Sequence, residues 1–174
     1  MVELVKKYYK TNKLESEYFV LNGKKEGYYK EYHMNGQLKI ICNYIDDKFN
    51  GEYKEYYING QLCIISQYVD NKKNGEHKIY YGDGQLQFIC SYINNEKNGE
   101  YKWYWDNGQL GQHCTYINGK INGEYKTYYQ NGQLSQNSTY INDMFNGDYK
   151  QYNESGNLIK SCIYENGKNI ETLF

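Results

Sequence analysis

The chain has 174 residues, of which 24 are Tyr and 17 are Gly, and its formal net charge is −1 at pH 7. So small a charge excludes a strong overall field that would attract nucleic acid or an anionic membrane. No stretch approaches the roughly 18 apolar residues of a membrane-spanning helix, and the N-terminal residues lack the apolar run of a secretory signal. We therefore expect a cytoplasmic protein.

Residues 1–26 contain a degenerate form of a pattern that recurs later in the chain. Tyr8, Leu14 and Asn22-Gly23 align weakly with that pattern. We predict a capping hairpin over residues 1–26, because the terminal units of a repeat array blunt an open sheet edge.

Residues 27–170 consist of six units of 24 residues, and a short tail follows at 171–174. The units span 27–50, 51–74, 75–98, 99–122, 123–146 and 147–170. Each unit begins with Gly, and a Lys, a second Gly, a Leu and a Tyr follow at fixed positions. In the second unit these residues are Gly51, Lys54, Gly60, Leu62 and Tyr68. Recurrence without an insertion or a deletion is typical of a repeat architecture.

Each unit predicts two β-strands and two tight turns. In the second unit, the strand-like runs EYKEYY and LCIISQY are separated by NGQ, and DNKKNG follows them. Asn-Gly favours a two-residue type I′ turn, because both residues tolerate a positive φ. The second link uses Asp and Asn in the same role. Two-residue turns at both links fix which side chains share a face of the pleated sheet.

The predicted pleat divides the second unit into two faces, which we name the aromatic face and the charged face. The aromatic face carries Tyr53, Glu55, Tyr57, Leu62, Ile64, Ser66 and Tyr68, and the charged face carries Glu52, Lys54, Tyr56, Ile65 and Val69. Gly51 is expected on the aromatic face, opposite a slot that holds Cys or Ser in every unit. There, its missing side chain would make room for Tyr rings.

The sequence therefore predicts an all-β fold, a single elongated and twisted antiparallel meander of stacked β-hairpins. Each unit of two strands advances this sheet by roughly 9.5 Å. A single hairpin cannot bury its own apolar face, so neighbouring units must stabilise one another. The open edges of such a sheet allow two chains to pair edge to edge as a homodimer.

The unit resembles a known repeat. The pattern G-x-Y-K-x-Y-Y-x-N-G-Q-L-x6-Y-x-N-G-K-x-N-G, over about residues 20–170, resembles the MORN repeat (membrane occupation and recognition nexus). It is more similar to the variant found in bacterial antitoxin-like arrays and in proteins of large amoeba-infecting DNA viruses. It differs from the better-known MORN consensus, which has a second Gly-x-Gly pair inside the unit. The resemblance implies a β-ribbon that holds partners and has no catalytic residues of its own.

The Cys and His residues form no pattern that is typical of catalysis or metal binding. One slot of the unit is occupied by Cys42, Cys90, Cys114 and Cys162. Adjacent units place this slot roughly 9.5 Å apart, too far for a disulfide, so we interpret these residues as small buried fillers. His113 and Cys114 point to opposite faces of a strand, and His77 replaces a recurrent Tyr. We predict no catalytic residue, no metal, no cofactor and no enzyme activity.

A lysine row runs along the charged face. It comprises Lys30, Lys54, Lys78, Lys102, Lys126 and Lys150. One alternative function is peripheral association with anionic lipid, for which the candidate residues are Lys54, Lys78, Lys102 and Lys126. In most units, Glu or Asp lies two residues before the Lys on the same face. Such interleaved charges favour an ordinary solvated surface.

An aromatic row occupies the seventh position of successive units. It comprises His33, Tyr57, Tyr81, Trp105 and Tyr129. A single-layer sheet cannot bury these rings fully, and Tyr and Trp are frequent interface anchors. The run Trp103-Tyr104-Trp105 departs from the repeat pattern in the middle of the chain. We predict that a protein partner binds to Trp103, Trp105, Tyr57, Tyr81 and Tyr129.

The leading functional hypothesis is a non-enzymatic scaffold for protein–protein interaction that uses the aromatic face. One alternative is the lipid-associating module described above, and another is an antitoxin-like binder of a cognate toxin. Nucleic acid is not an expected partner, because the chain has no Arg and no net positive charge.

Overall fold

The computed structural model describes residues 1–174 and contains sixteen β-strands and no helix. The strands are β1 (Val2–Tyr8), β2 (Leu14–Leu21), β3 (Lys24–Tyr32), β4 (Leu38–Ile45), β5 (Lys48–Phe49), β6 (Gly51–Tyr56), β7 (Leu62–Val69), β8 (Lys72–Tyr80), β9 (Leu86–Ile93), β10 (Glu96–Tyr104), β11 (Leu110–Ile117), β12 (Lys120–Tyr128), β13 (Leu134–Ile141), β14 (Met144–Tyr152), β15 (Leu158–Glu165) and β16 (Lys168–Thr172). The sheet follows chain order, except that β5 pairs with β4 outside the main path. The predicted all-β antiparallel meander is confirmed.

The hairpins are offset from the predicted 24-residue units. Gly27, Gly75 and Gly99 lie inside β3, β8 and β10, so a new hairpin begins before the Gly that opens each unit. At the N-terminus, β1 and β2 pair as a hairpin, with Val5 opposite Tyr18.

The chain divides into two compact units. The first comprises residues 1–85 and 92–95, and the second comprises residues 86–91 and 96–174. The buried side chains of the first are Ser16, Cys42, Ser66 and His77, and those of the second are Phe88, Cys90, Cys114, Ser138, Ser161 and Cys162. Most of these occupy the Cys/Ser slot, where Tyr53 lies opposite Ser66 and Tyr101 lies opposite Cys114. Large rings thus cover small side chains, as expected for buried fillers.

The first link of each repeat is not a type I′ turn. After β6, the N–H of Tyr57 donates to the carbonyl of Gln61 and the N–H of Gly60 donates to the carbonyl of Tyr57, both at 2.9 Å. Gly60 has φ +85°, whereas Asn59 has no positive φ. The loop therefore has three residues, a type I turn followed by a left-handed Gly. The Asn59 side chain favours this geometry, because its Oδ1 accepts the N–H of Gln61 at 3.0 Å.

The second link is the predicted two-residue turn. Asp70 and Asn71 have φ values of 48° and 65°, as a type I′ turn requires. The Asn71 N–H donates to the carbonyl of Phe49 at 3.0 Å, and its Oδ1 accepts the Phe49 N–H at 2.7 Å. Lys73, in the next hairpin, makes the same pair of bonds with Asn95. These bonds tie each turn to the preceding hairpin.

Gly51 is required for its backbone conformation and not for space. Its φ is +93°, and an added Cβ would meet no atom within 4 Å. It pairs with Tyr68, not with the Cys/Ser slot, so the expectation that it makes room for Tyr rings was wrong. Asn50, just before it, leaves the strand pattern and donates its N–H to Asn43 at 2.9 Å. A left-handed residue is needed at this irregularity, which favours Gly.

The aromatic face is formed by rings from adjacent strands. In the first unit, the Phe49 ring centroid lies 4.7 Å from that of Tyr44, 5.7 Å from Tyr53 and 5.5 Å from Tyr68. One hairpin earlier, Lys25 occupies the position of Phe49 and holds its ammonium 4.7 Å from the Tyr44 centroid. A cation over an aromatic ring is favourable, so either residue type completes the cluster.

Candidate functional site

Trp103 and Trp105 form an aromatic pair at the end of β10. Their ring centroids are 4.4 Å apart and their planes are inclined by 70°, an edge-to-face arrangement that aromatic pairs favour. Both side chains are half-buried. The Trp105 Nε1–H donates to the carbonyl of Tyr128 at 3.1 Å, which fixes the orientation of its ring.

Gly111 makes the position of Trp103 possible. It is buried, and a Cβ added to it would overlap the six-membered ring of Trp103 and lie 3.1 Å from Trp105 Nε1. Its backbone has no positive φ, so only the space requires Gly. Other repeats carry Lys39, Cys63, Gln87, Ser135 and Ile159 at this position. Sequence reasoning missed this residue, although a Gly found in one repeat alone was an available signal.

Residues of the aromatic row join neighbouring hairpins through hydrogen bonds. The Tyr57 hydroxyl donates to the carbonyl of Tyr80 at 2.7 Å, and the Tyr129 hydroxyl donates to the carbonyl of Tyr152 at 2.8 Å. Trp105 makes the equivalent bond. The polar atoms of these side chains are therefore engaged within the chain, while their half-buried rings remain partly exposed. Tyr81 is also half-buried and lies just after β8.

Two of the predicted partner-binding residues line one groove. It has a volume of about 390 Å³ and is lined by Trp105, Tyr129, Gln130, Asn131 and Glu154. We call this the tryptophan groove. Trp103 contacts it through Trp105, whereas Tyr57 and Tyr81 belong to the first compact unit. Glu154 is the sole charged residue of the lining, so the groove combines two aromatic rings with one carboxylate.

The lysine row is paired with carboxylates along the charged face. Lys54, Lys78, Lys102 and Lys126 lie 2.5, 2.6, 2.7 and 2.7 Å from Glu52, Glu76, Glu100 and Glu124. Hydrogen bonds to these carboxylates raise the pKa of each of the four lysines. The charges alternate in sign over short distances, which leaves little net field.

His77 belongs to a buried polar cluster. Its Nδ1 lies 2.5 Å from Ser66 Oγ and its Nε2 lies 3.3 Å from Lys73 Nζ. An ammonium can only donate, so Nε2 accepts from Lys73, and Nδ1 carries the proton that it donates to Ser66. Ser66 is thus an acceptor and is not activated as a nucleophile. Burial, followed by the charge of Lys73, lowers the pKa of His77 from 6.5 to about 4.

The thiols of the Cys/Ser slot are buried and form no disulfide. Cys90 and Cys114 are fully shielded from solvent. Burial raises the pKa of the Cys42 thiol to about 12. A thiol that stays protonated is a poor nucleophile, so these residues act as packing groups.

A family model described as the MORN repeat variant matches the chain six times. The matches cover residues 25–46, 49–70, 73–94, 97–118, 121–142 and 145–166. Each begins within two residues of the second link, which agrees with the observed hairpins. No curated protein matches the chain significantly. The structure contains no helix that could cross a membrane. Since the matched segments make up more than half of the residues, the chain belongs to the MORN repeat variant family.

Proposed function

We propose that the chain is a non-catalytic scaffold that binds a protein partner through the tryptophan groove. MORN repeats are non-catalytic modules that generally bind proteins or membranes. The observation that carries the proposal is the pair Trp103–Trp105 together with Gly111. The two rings and the space for them occur in one repeat alone, which regular stacking of hairpins does not require.

The groove has the composition of an interface anchor site. Trp and Tyr rings supply a large contact area with little loss of side-chain entropy, and they dominate many protein interfaces. Trp105 is held by its bond to Tyr128, so it is pre-organised for contact. Glu154 favours a partner that places Lys or Arg beside an apolar side chain, and the rings add a cation–π contribution.

The charged face supports this choice over lipid binding. Four lysines of the row are within 2.7 Å of a carboxylate, and no basic residue lines the tryptophan groove. Attraction to an anionic bilayer depends on clustered, unpaired basic residues. The lysine row lacks that property in these four repeats.

Affinity capture from the native host, followed by mass spectrometry, tests the proposal. We expect the double variant Trp103→Ala/Trp105→Ala to lose the specifically captured protein while its far-UV circular dichroism remains that of a β-sheet. Tyr9→Ala is the matched control, because Tyr9 holds the equivalent position in the N-terminal hairpin and its hydroxyl makes the same kind of inter-hairpin bond, to the carbonyl of Tyr32 at 2.6 Å. It should retain capture. Equal capture by the wild type and the double variant would refute partner binding at the tryptophan groove.

Two further experiments test the alternative functions. Pelleting with anionic liposomes that Lys54→Glu and Lys78→Glu abolish would favour the lipid-associating module. A captured protein whose expression is toxic without the chain, and harmless with it, would identify the partner as a toxin.

A further inference from the structure

The sheet has two open edges of different character. β1 is the first strand in the sheet order and pairs with β2 alone, whereas β16 is the last and pairs with β15 alone. The outer edge of each strand presents backbone N–H and C=O groups without a neighbouring strand. Such groups form hydrogen bonds with an added strand of suitable length. β1 offers seven residues, and β16 offers five.

Exposed apolar side chains lie on the charged face of β1 and of the two strands next to it. Leu4 is 48% exposed and lies opposite Phe19, which is 38% exposed. Both line a groove of about 190 Å³ together with Tyr28, and Tyr28 is 65% exposed. Tyr28 stands where later repeats carry an acidic residue. Apolar surface beside an open strand edge is typical of an association site.

Two charges of β1 have no ion-pair partner within the chain. Lys6 lies 3.6 Å from Glu17, but neither Glu3 nor Lys7 forms an ion pair. Glu3 and Lys7 are four residues apart, so they point to the same face of the strand. Lysines on an edge strand ordinarily discourage pairing, unless the added strand supplies an opposite charge.

A second copy of β1 supplies that charge. A two-fold axis perpendicular to the sheet makes the strands antiparallel and keeps the aromatic faces on the same side, so directly opposed residues must share a face. With Val5 opposite Val5 of the second copy, Glu3 lies opposite Lys7 of that copy. The symmetry generates this pair twice, which is favourable for cross-strand neighbours.

The other edge does not offer the same complementarity. β16 has only five residues, and its register with β15 shifts between Ile163 and Tyr164, so Ile170 has no partner in β15. A short edge strand with an irregular register is a poor template for a second copy.

We propose that the chain forms a two-fold dimer in which β1 pairs antiparallel with β1 of a second copy, centred on Val5 and flanked by two Glu3–Lys7 ion pairs. The dimer uses the first compact unit and does not involve the tryptophan groove, so it is independent of the proposed function.

Sedimentation equilibrium of the full chain tests the dimer by charge reversal. The wild type should be dimeric. Glu3→Lys and Lys7→Glu, each alone, should raise the dimer dissociation constant roughly tenfold or more, because both ion pairs become repulsive. The double variant Glu3→Lys/Lys7→Glu should restore wild-type association. Glu171→Lys, at the other edge, is the matched control and should leave the constant unchanged.

Circular dichroism confirms that each variant keeps its β-sheet, and either single variant suffices if the other does not fold. A monomeric wild type overturns the proposal. So does a dimer that is insensitive to both single changes, or one that the double variant fails to restore. A dimer weakened by Glu171→Lys but not by Glu3→Lys would assign the contact to β16 instead.

Discussion

Ser66 and Ser138 occupy equivalent positions in the two compact units but face different residues. Ser138 lies opposite Tyr149, whereas Ser66 lies opposite His77. Tyr149 is an ordinary residue of the aromatic face, whereas the imidazole of His77 is held by Ser66 and Lys73. One substitution at one position thus introduces a buried titratable group into an otherwise regular hairpin.

Trp103 also departs from the repeat pattern, and a change at a second position accommodates it. In the next repeat, the positions of Trp103 and Gly111 are occupied by Thr127 and Ser135. A large ring is accompanied by the loss of the opposing side chain. Compared with the regular repeats, each unusual residue depends on a second residue that accommodates it. The two residues should therefore be varied together.

The largest expected effect comes from restoring Tyr at position 77. Between pH 6.5 and about 4, unfolded His77 gains a proton that the folded residue does not take up. The free energy of unfolding should therefore fall by about 3 kcal/mol as the pH decreases through this range. Above pH 6.5, the contribution of His77 to the free energy of unfolding should be fully present.

His77→Tyr should lose this part of the acid sensitivity, because Tyr149 already fits opposite Ser138. Urea denaturation at several pH values measures it. Identical pH dependence of the wild type and the variant would show that His77 is not the responsible group.

Gly111→Ala should destabilise the second unit by about 2 kcal/mol, because the new methyl group overlaps Trp103. Urea denaturation of the variant measures the loss. Ser135→Ala is the control at the equivalent position and should change stability little. The combination Trp103→Thr/Gly111→Ser copies the next repeat and should be more stable than Gly111→Ala. Equal stability of Gly111→Ala and wild type would contradict this packing.

Tyr129→Phe should cost about 1 kcal/mol, the usual contribution of one hydrogen bond. The hydroxyl that it removes donates to the carbonyl of Tyr152 at 2.8 Å. Tyr28→Phe is the comparison, since that side chain is 65% exposed. Thermal unfolding of the two variants should differ, and a smaller loss for Tyr129→Phe than for Tyr28→Phe would argue against a structural role for the bond.

Glu124→Gln should have the smallest effect, about 0.5 kcal/mol or less, because its ion pair with Lys126 lies in an exposed part of the regular repeat. High salt should reduce the difference further. A loss that matched the Gly111 variant would mean that the charged face is more important for stability than its exposure indicates.

The periodic residues predicted the strands and most of the shared faces, because side chains alternate along a regular strand. Leu62 was assigned to the wrong face: it pairs with Tyr56 of the charged face, because the register shifts between Glu55 and Tyr56. The first turn was predicted with the wrong type. Asn59 caps the loop with its side chain instead of adopting a positive φ, and both geometries favour Asn-Gly. A turn type that depends on one side-chain hydrogen bond cannot be read from the dipeptide alone.

The candidate site was less accessible to sequence reasoning. Trp103, Trp105 and Tyr129 could be predicted as candidates, because the two Trp residues depart from the repeat pattern and Tyr129 lies in the aromatic row. The overlap between Trp103 and any side chain at position 111 could not be predicted, because it depends on the irregular register after Trp103. The cluster of Ser66, Lys73 and His77 likewise depends on the shift between Ser66 and Tyr68. Irregular pairings place these side chains together, and they leave no simple spacing in the sequence.

The hydrogen bonds between hairpins join residues 22 or 23 positions apart, as from Phe49 to Asn71 and from Tyr57 to Tyr80. Deletion of one complete 24-residue period would bring equivalent donors and acceptors back together. Loss of a single residue would instead misalign the contacts that span the deletion. A chain of this kind can therefore be lengthened or shortened by whole periods with its contacts between hairpins preserved, whereas changes of other lengths break the contacts that span them.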